Sequence, residues 1–365
     1  MSYSLPHNVS FSNMDKLMEL ITQYDDNDAV IILSENGAER WGLKDTIEKM
    51  RKLCWIKCAV KEPTQADILR CIAEIPFRPD VIIAIGGGSS IDLAKGISAM
   101  YGLGCESVDD VTSFLVSKKY IKNEFIDIVA VPSTAGTGSE LTQWATIWDV
   151  DRKNKYSVDA SGLRPKIAFI VPELTLSSSQ RLTLATALDA ISHAMEAFWS
   201  VHSNSSVQNT ALSSAKLISE SLPKVLGDPQ NLEYRTAMCE GSVLSAVAFS
   251  QTRTAACHAI SYPLTMTYGI EHGFAVALTL NEIMAINGKA VPRMNELENI
   301  FTEYGGFEKW LSGVCGNIVS LKLSSFGAKV EDLQTLASSI GIERMVNNPV
   351  KLTQDDVCEI LKKIF

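Results

Sequence analysis

The sequence predicts an α/β domain built on a parallel sheet, followed by an all-helical domain, and three observations carry that expectation. Short apolar runs of strand length alternate with helical segments through the first half of the chain. From about Ser177 the strand-like runs thin out, and helical periodicity dominates to Phe365. A length of 365 residues, with 46% hydrophobic and 21% charged content, suits two globular domains with a sizeable core. The boundary falls near residue 176, giving an N-terminal domain over 1–176 and a helical domain over 177–365.

The elements follow in order. Ala29–Leu33 reads as a buried strand, a helical stretch runs from about Lys44 to Leu53, and Ile56–Val60 is the next strand. Thr64–Glu74 is helical after Pro63. Val81–Ile85 is a strand that enters Gly86-Gly87-Gly88, and the spacing of Ile91, Ala94 and Ile97 extends a helix to Met100. Ile126–Val131 and Ile167–Val171 are further strands. Between them, Thr142–Asp149 and Tyr156–Asp159 can pair as a hairpin around Asp151-Arg-Lys-Asn.

Composition narrows the function classes. A net charge of −9, with no basic block to offset it, argues against a nucleic-acid surface or an anionic-membrane patch. The eight cysteines contain no CxxC pair; Cys54 and Cys58 are four apart, but nothing nearby completes a zinc-knuckle pattern. The start, Met1 to His7, has neither a basic nor an apolar signal region, and no run approaches the roughly 18 apolar residues of a membrane helix. A cytoplasmic protein with reduced thiols is expected.

Two turns are candidates for nucleotide binding. In Val81 to Lys95 a strand, a glycine turn and a helix start follow one another. Glycines there let backbone approach a pyrophosphate, and the helix N-terminus offers unpaired N–H groups. The turn is neither a GxGxxG fingerprint, since Ile91 occupies the last small position, nor a P-loop, since the Gly-Lys-Ser/Thr ending is missing. Gly86, Gly87, Gly88, Ser89, Ser90 and Asp92 are the candidate contacts, with Ser89 and Ser90 as helix caps. The second turn, Pro132-Ser133-Thr134-Ala135-Gly136-Thr137-Gly138-Ser139-Glu140, follows a strand end, where α/β sheets bind ligands, and adds Ser133, Thr134 and Thr137. Glu35, just past the first strand, is a candidate for ribose hydroxyls; a carboxylate there repels a 2′-phosphate and favours NAD over NADP. Each feature alone also reads as an ordinary loop.

Histidines are scarce, at positions 7, 193, 202, 258 and 272. Asp189-Ala-Ile-Ser-His193 lies in a helical segment, Leu184 to Trp199, so the i, i+4 spacing puts carboxylate and imidazole on one face. Cys257-His258-Ala-Ile-Ser-Tyr262-Pro263 and Glu271-His272-Gly273 bring two more histidines into or beside apolar segments. A buried histidine needs a partner, structural or metallic. One carboxylate with three imidazoles suits Fe(II), Zn(II), Mn(II) or Co(II), and open coordination positions would permit Lewis-acid catalysis.

Together these motifs resemble the iron-containing (group III) alcohol dehydrogenase family over roughly residues 20–285. The stretches GGGSSIDLAK, PSTAGTGSE, Val171-Pro-Glu-Leu, DAISHAMEA and CHAISYP with EHG occur in the family's order. The resemblance implies a Rossmann-like domain plus a helical metal domain, a dehydroquinate synthase-like architecture. It implies a metal held by Asp189, His193, His258 and His272, with Fe(II) first and Zn(II) as alternative. It also implies NAD(P) phosphates on Gly86–Ser90 and Thr134–Thr137, the nicotinamide reaching an interdomain cleft, a small aldehyde or primary alcohol as substrate, and a homodimer. Several members carry a proton-relaying histidine four residues after the third ligand; this chain has Tyr262 there, so Tyr262 joins His258 as a candidate catalytic group. The segment Thr252 to Pro263 resembles members that reduce phosphonoacetaldehyde, for which Arg253 would be the natural cation. The rival readings are a zinc enzyme like glycerol dehydrogenase or dehydroquinate synthase, and a non-catalytic NAD-binding metal protein.

Overall fold

The computed structural model describes residues 5–365 except Asp151 and Lys153, so the first four residues and part of the expected Asp151 turn lie outside the described residues. Two units are distinct: Leu5–Thr134 with Ser139–Thr175, and Ala135–Gly138 with Leu176–Phe365.

The first unit holds the strands β1 (Val9–Phe11), β2 (Ala29–Ile32), β3 (Leu53–Ile56), β4 (Val81–Gly86), β5 (Asp127–Pro132), β6 (Trp144–Asp149), β7 (Asn154–Asp159) and β8 (Ile167–Ile170). Its helices are α1 (Met14–Thr22), α2 (Glu35–Arg40), α3 (Lys44–Glu48), α4 (Gln65–Glu74), α5 (Gly88–Met100) and α6 (Val108–Ser117). Six strands form one parallel sheet in the order β1-β8-β5-β4-β2-β3, while β6 and β7 make a separate antiparallel hairpin. The parallel sheet and the helical second unit are as the sequence predicts.

Continuous apolar strands bury both faces of the sheet, as a parallel sheet requires. Val30 and Ile32 point into a core shared with Ile68 of α4 and Ile91 and Ile97 of α5. Ala29 and Ile31 point to the opposite core, with Leu17 and Ile21 of α1 and Ile47 of α3. The period of two along β2 thus assigns its neighbours to opposite layers.

Two expectations need correction. The helix expected from Lys44 to Leu53 ends at Glu48, and the strand expected at Ile56–Val60 runs instead from Leu53 to Ile56. Pairing explains the shift: Leu53, Cys54, Trp55 and Ile56 lie opposite Ala29 to Ile32 in register, and that ladder outweighs local propensity. The three-residue edge strand β1 and helices α1, α2 and α6 carry no expectation in the reading above.

The strand order decides where a ligand can sit. The chain leaves β2 for β3 on one side and returns to β4 on the other, so the order of strand addition reverses between β2 and β4 while the strands stay parallel. Open α/β sheets bind ligands at the carboxyl ends of the strands flanking such a reversal. Glu35 follows β2 and the glycine turn ends β4, and only the topology brings these positions together.

In the second unit α7 (Gln180–Trp199), α8 (Ser205–Gly227), α9 (Leu232–Thr252), α10 (Ala256–Tyr268) and α11 (His272–Asn287) form the main helical body. The shorter α12 (Met294–Asn299), α13 (Phe307–Cys315), α14 (Leu333–Ser339) and α15 (Gln354–Lys363) follow. Ser179 caps α7 by accepting from the Leu182 N–H, and from Leu184 to Trp199 all but Thr186 are buried, which marks α7 as the central helix. It packs against α8, α9 and α11. All eight cysteines are free thiols. Among the described residues no helix is long and apolar enough to cross a membrane.

Candidate metal centre and nucleotide turns

Helix α7 presents Asp189 and His193 one turn apart, α10 supplies His258 in its first turn, and α11 begins with His272. The Nε2 atoms of His193, His258 and His272 lie 3.8, 3.4 and 3.8 Å from Asp189 Oδ1. Donor atoms of Asp189, His258 and His272 all fall within 4.8 Å of one another, with His193 beside this triad. Ligands about 2.1 Å from a common ion lie about 3.0–3.4 Å apart, so the cluster is a slightly expanded coordination shell. Asp189 Oδ1 and His258 Nε2 are buried and have no hydrogen-bond partner among the described residues. A buried carboxylate oxygen left so is costly, and a cation between these atoms removes the cost. The donor set fits a divalent transition metal.

The rings are held by packing. His193 stacks on Phe249 at 3.9 Å and on His258 at 4.5 Å between centroids. Tyr262, four residues after His258, stacks on His272 at 5.8 Å with the rings 7° from parallel. Burial pushes the His193 imidazole down to about 4, which leaves it neutral and able to donate a lone pair. Burial opposes protonation of His258 too, but Glu196 and Asp189 outweigh it and raise the group to about 9. Burial would raise Asp189, yet the surrounding imidazoles hold it well below the usual carboxylate range. The centre therefore favours one positive charge, on a His258 proton or on a cation.

Glu196, which the sequence reading did not single out, completes the arrangement. It is fully buried and accepts from the N–H groups of Ala255 (2.9 Å) and Cys257 (2.6 Å), and its Oε2 meets His258 Nδ1 at 2.6 Å. A carboxylate on Nδ1 fixes the tautomer that turns the Nε2 lone pair toward the centre. The same carboxylate neutralises the unsatisfied N–H groups at the start of α10. The signal was present: Glu196 is the lone charge in the apolar run Ala194 to Trp199, and a buried charge requires a partner.

Glycines explain how closely α11 approaches α7. A Cβ on Gly273 would run into the Ala185 carbonyl, and one on Gly136 would run into the Thr186 carbonyl. Both obstacles are backbone, one turn before Asp189, and cannot swing aside. Gly273→Ala should therefore displace the start of α11 and with it His272. We expect roughly 1–3 kcal/mol of destabilisation in thermal unfolding, together with weakened metal binding. An unchanged melting temperature and unchanged metal affinity would contradict the close approach.

The nucleotide candidates occupy the first unit. Helix α5 starts at Gly88 with Gly87 as N-cap and no side-chain cap, so its first N–H groups face the turn without a capping side chain. Ser89 and Ser90 are in the first turn rather than caps, and the Ser89 hydroxyl donates to the Lys61 carbonyl at 2.7 Å. The Ser133 N–H donates to the Gly86 carbonyl at 2.8 Å, and a Cβ on Gly87 would lie 3.6 Å from Thr134 Oγ1. The two turns thus sit side by side at the ends of β4 and β5. Thr137 belongs to the 135–138 segment grouped with the helical unit.

Asp92 departs from its expected role as a cofactor contact. Its Oδ1 accepts from the Ser139 hydroxyl at 2.5 Å and its Oδ2 from the Thr146 N–H at 2.8 Å. The fully buried Lys95 donates to the Ser139 carbonyl, the Thr142 hydroxyl and the Trp144 carbonyl at 2.7, 3.1 and 2.8 Å. Asp92 and Lys95 thereby tie α5 to Ser139 near the end of the second turn and to Thr142, Trp144 and Thr146 just after it.

Glu35 opens α2 and carries two lysines: Lys57 Nζ is 3.1 Å and Lys44 Nζ 3.5 Å from its Oε1. Arg253 ends α9 with φ 62°, a left-handed conformation uncommon outside glycine, and its N–H donates to the Phe249 carbonyl at 2.7 Å.

Comparison with known proteins follows this geometry. The family model described as iron-containing alcohol dehydrogenase matches residues 6–172, and that of the Fe-containing alcohol dehydrogenase family, C-terminal, matches residues 183–365. The chain is similar to a phosphonoacetaldehyde reductase of Streptomyces viridochromogenes, 35% identical over 234 residues, a match spanning 63% of this chain but only 59% of that protein. It is 30% identical to an NAD-dependent methanol dehydrogenase of Bacillus methanolicus over 300 residues, 78% of this chain and 76% of that protein. Among solved structures, sulfoacetaldehyde reductase from Bifidobacterium kashiwanohense in complex with NAD+ superposes with a TM-score of 0.83 at 25% identity, covering 100% of this chain and 98% of that one.

Proposed function

The chain belongs to the iron-containing alcohol dehydrogenase family, and on that premise we propose that it reduces a small anionic aldehyde with NADH, reversibly. The observation that carries the reading is the convergence of three imidazole Nε2 atoms on the buried Asp189 Oδ1. In balance, aldehyde, NADH and one proton give a primary alcohol and NAD. When bound, the metal supplies Lewis acidity toward a carbonyl oxygen and the nicotinamide supplies hydride.

The chain's own residues do the rest. Asp189, His193, His258 and His272 would hold the metal, Fe(II) in the first instance and Zn(II) as alternative, and Glu196 keeps His258 in the donating tautomer. Gly86 to Ser90, with Ser133, Thr134 and Thr137, would receive the cofactor phosphates on backbone N–H and hydroxyl groups. Tyr262 is the candidate hydrogen-bond donor to the substrate oxygen. Burial, with Glu196 and Asp189 adding, pushes its phenol up to about 12, so it keeps its proton at neutral pH.

The finer substrate reading is phosphonoacetaldehyde, giving 2-hydroxyethylphosphonate. Two names support it, the phosphonoacetaldehyde reductase and the sulfoacetaldehyde reductase, which share a two-carbon aldehyde bearing a tetrahedral oxyanion. Arg253 is the cation first assigned to that group. The deciding experiment is an aldehyde panel with NADH on protein reconstituted separately with Fe(II) and Zn(II). Phosphonoacetaldehyde should give the highest kcat/KM; no NADH oxidation with any aldehyde under either metal would end the reading.

Preference for NAD rests on Glu35, and its surroundings sharpen the test. Lys57 has Glu35 as its carboxylate partner at 3.1 Å, while Lys44 also pairs with Glu39 at 2.8 Å; Glu35→Gly therefore releases Lys57 where a 2′-phosphate would fall. The ratio of kcat/KM for NADH over NADPH should drop at least about tenfold, corresponding to roughly 1.4 kcal/mol. An unchanged ratio would remove Glu35 from cofactor selection.

A further inference from the structure

The chemistry above leaves the stretch 341–348 without a role, yet the second unit fixes it firmly. Met345 is buried. Asn348 exchanges side-chain hydrogen bonds with the fully buried Asn287 at 2.9 and 3.0 Å. The Asn347 carbonyl accepts from the Val201 N–H at 3.0 Å. The Asn347 side chain donates to the carbonyls of Thr254 (2.9 Å) and Thr252 (3.4 Å), the two residues flanking Arg253. One asparagine thus braces the loop that keeps Arg253 in its left-handed conformation.

On the short turn Ile342–Met345 the Arg344 guanidinium lies 5.9 Å from the centroid of the Tyr262 ring. That ring stacks on the candidate ligand His272. Arg344 is exposed and forms no ion pair among the described residues, whereas Arg181 is paired with Glu271 at 2.9 Å. A pinned segment therefore sets an unneutralised guanidinium one ring beyond the metal ligands, in a chain whose net charge is −9.

We propose that Arg344 is a specificity-determining residue that binds the tetrahedral oxyanion of the substrate, with Asn347 coupling its segment to Arg253. The inference rests on the anionic-aldehyde reading above. A phosphonate or sulfonate presents oxygens that match the planar fork of a guanidinium, and charge-assisted bonds of this kind are about twice as strong as neutral ones. In a chain of net charge −9 an exposed cation beside the centre would also attract a substrate dianion.

The test uses the metal-loaded protein, wild type, Arg344→Leu and Arg344→Lys, with phosphonoacetaldehyde and propanal as substrates. Arg344→Leu should lower the ratio of kcat/KM for phosphonoacetaldehyde over propanal at least about tenfold, chiefly through KM, and Arg344→Lys should recover part of it. A parallel loss on both aldehydes, or no loss, overturns the proposal, since a structural role does not move the ratio. Calorimetric binding of methylphosphonate is the second readout, independent of turnover. If wild type shows no preference for phosphonoacetaldehyde, the substrate reading fails, while Arg344 is still judged here: weakened binding in Arg344→Leu supports the oxyanion site, and equal or absent binding in both proteins overturns it.

Discussion

Asp189→Asn should abolish stoichiometric metal binding and lower turnover by on the order of 10³-fold or more, while NADH binding changes little. The substitution preserves shape and removes only the charge. The Asp189 carboxylate oxygen is the common neighbour of all three imidazole nitrogens, so its charge acts on the whole donor set. Loss of an orienting partner behind a ligand costs roughly 10–100-fold in metal affinity, and loss of the anionic ligand itself should cost more. Metal analysis after desalting and NADH fluorescence titration measure the two halves separately. A variant that retains one metal per chain would sink the assignment of the centre.

Glu196→Gln carries the second large effect. The glutamate touches no donor position of the centre, yet it receives the His258 Nδ1 and the N–H groups of Ala255 and Cys257. A carboxamide replaces one acceptor by a donor, so either the His258 tautomer is lost or an N–H at the head of α10 is left without its acceptor. We expect a roughly 10–100-fold weaker metal affinity in chelator competition. The harsher Glu196→Ala removes the acceptor of two buried N–H groups and of His258 Nδ1 and should destabilise the fold by roughly 3–5 kcal/mol. If Glu196→Gln lowers the melting temperature while the folded protein binds metal as tightly as wild type, Glu196 is only a helix cap. Measuring affinity and melting on the same samples separates these outcomes.

Different parts of the centre were legible in the chain to different degrees. Asp189 and His193 could be paired from one helical turn, because a spacing of four fixes a common face before any tertiary contact forms. His258 and His272 were nominated by their scarcity and their apolar surroundings; fourteen residues and a helix break separate them, so no local rule joins them. Glu196 lay in plain view as a lone charge on an apolar stretch, but its partner sits 62 residues away. Asp92 reads as a cofactor contact at the helix start after the glycine turn, and is instead an internal brace because Ser139 and Thr146 arrive from later in the chain.

Local chemistry was enough to establish the parallel sheet, the helical second half, both polar turns and the i, i+4 pair. Those features depend on periodicities and backbone preferences that act over a few residues. Tertiary structure alone decided the remainder: the register that moved β3 to Leu53, the reversal between β2 and β4 that joins Glu35 to the glycine turn, the backbone contacts that reserve Gly136 and Gly273 for glycine, and the seating of Arg344 over Tyr262. Each of these couples residues distant in sequence through packing or hydrogen bonding. Such couplings follow from the whole fold's balance of burial and satisfied polar groups, which no single stretch of the chain contains.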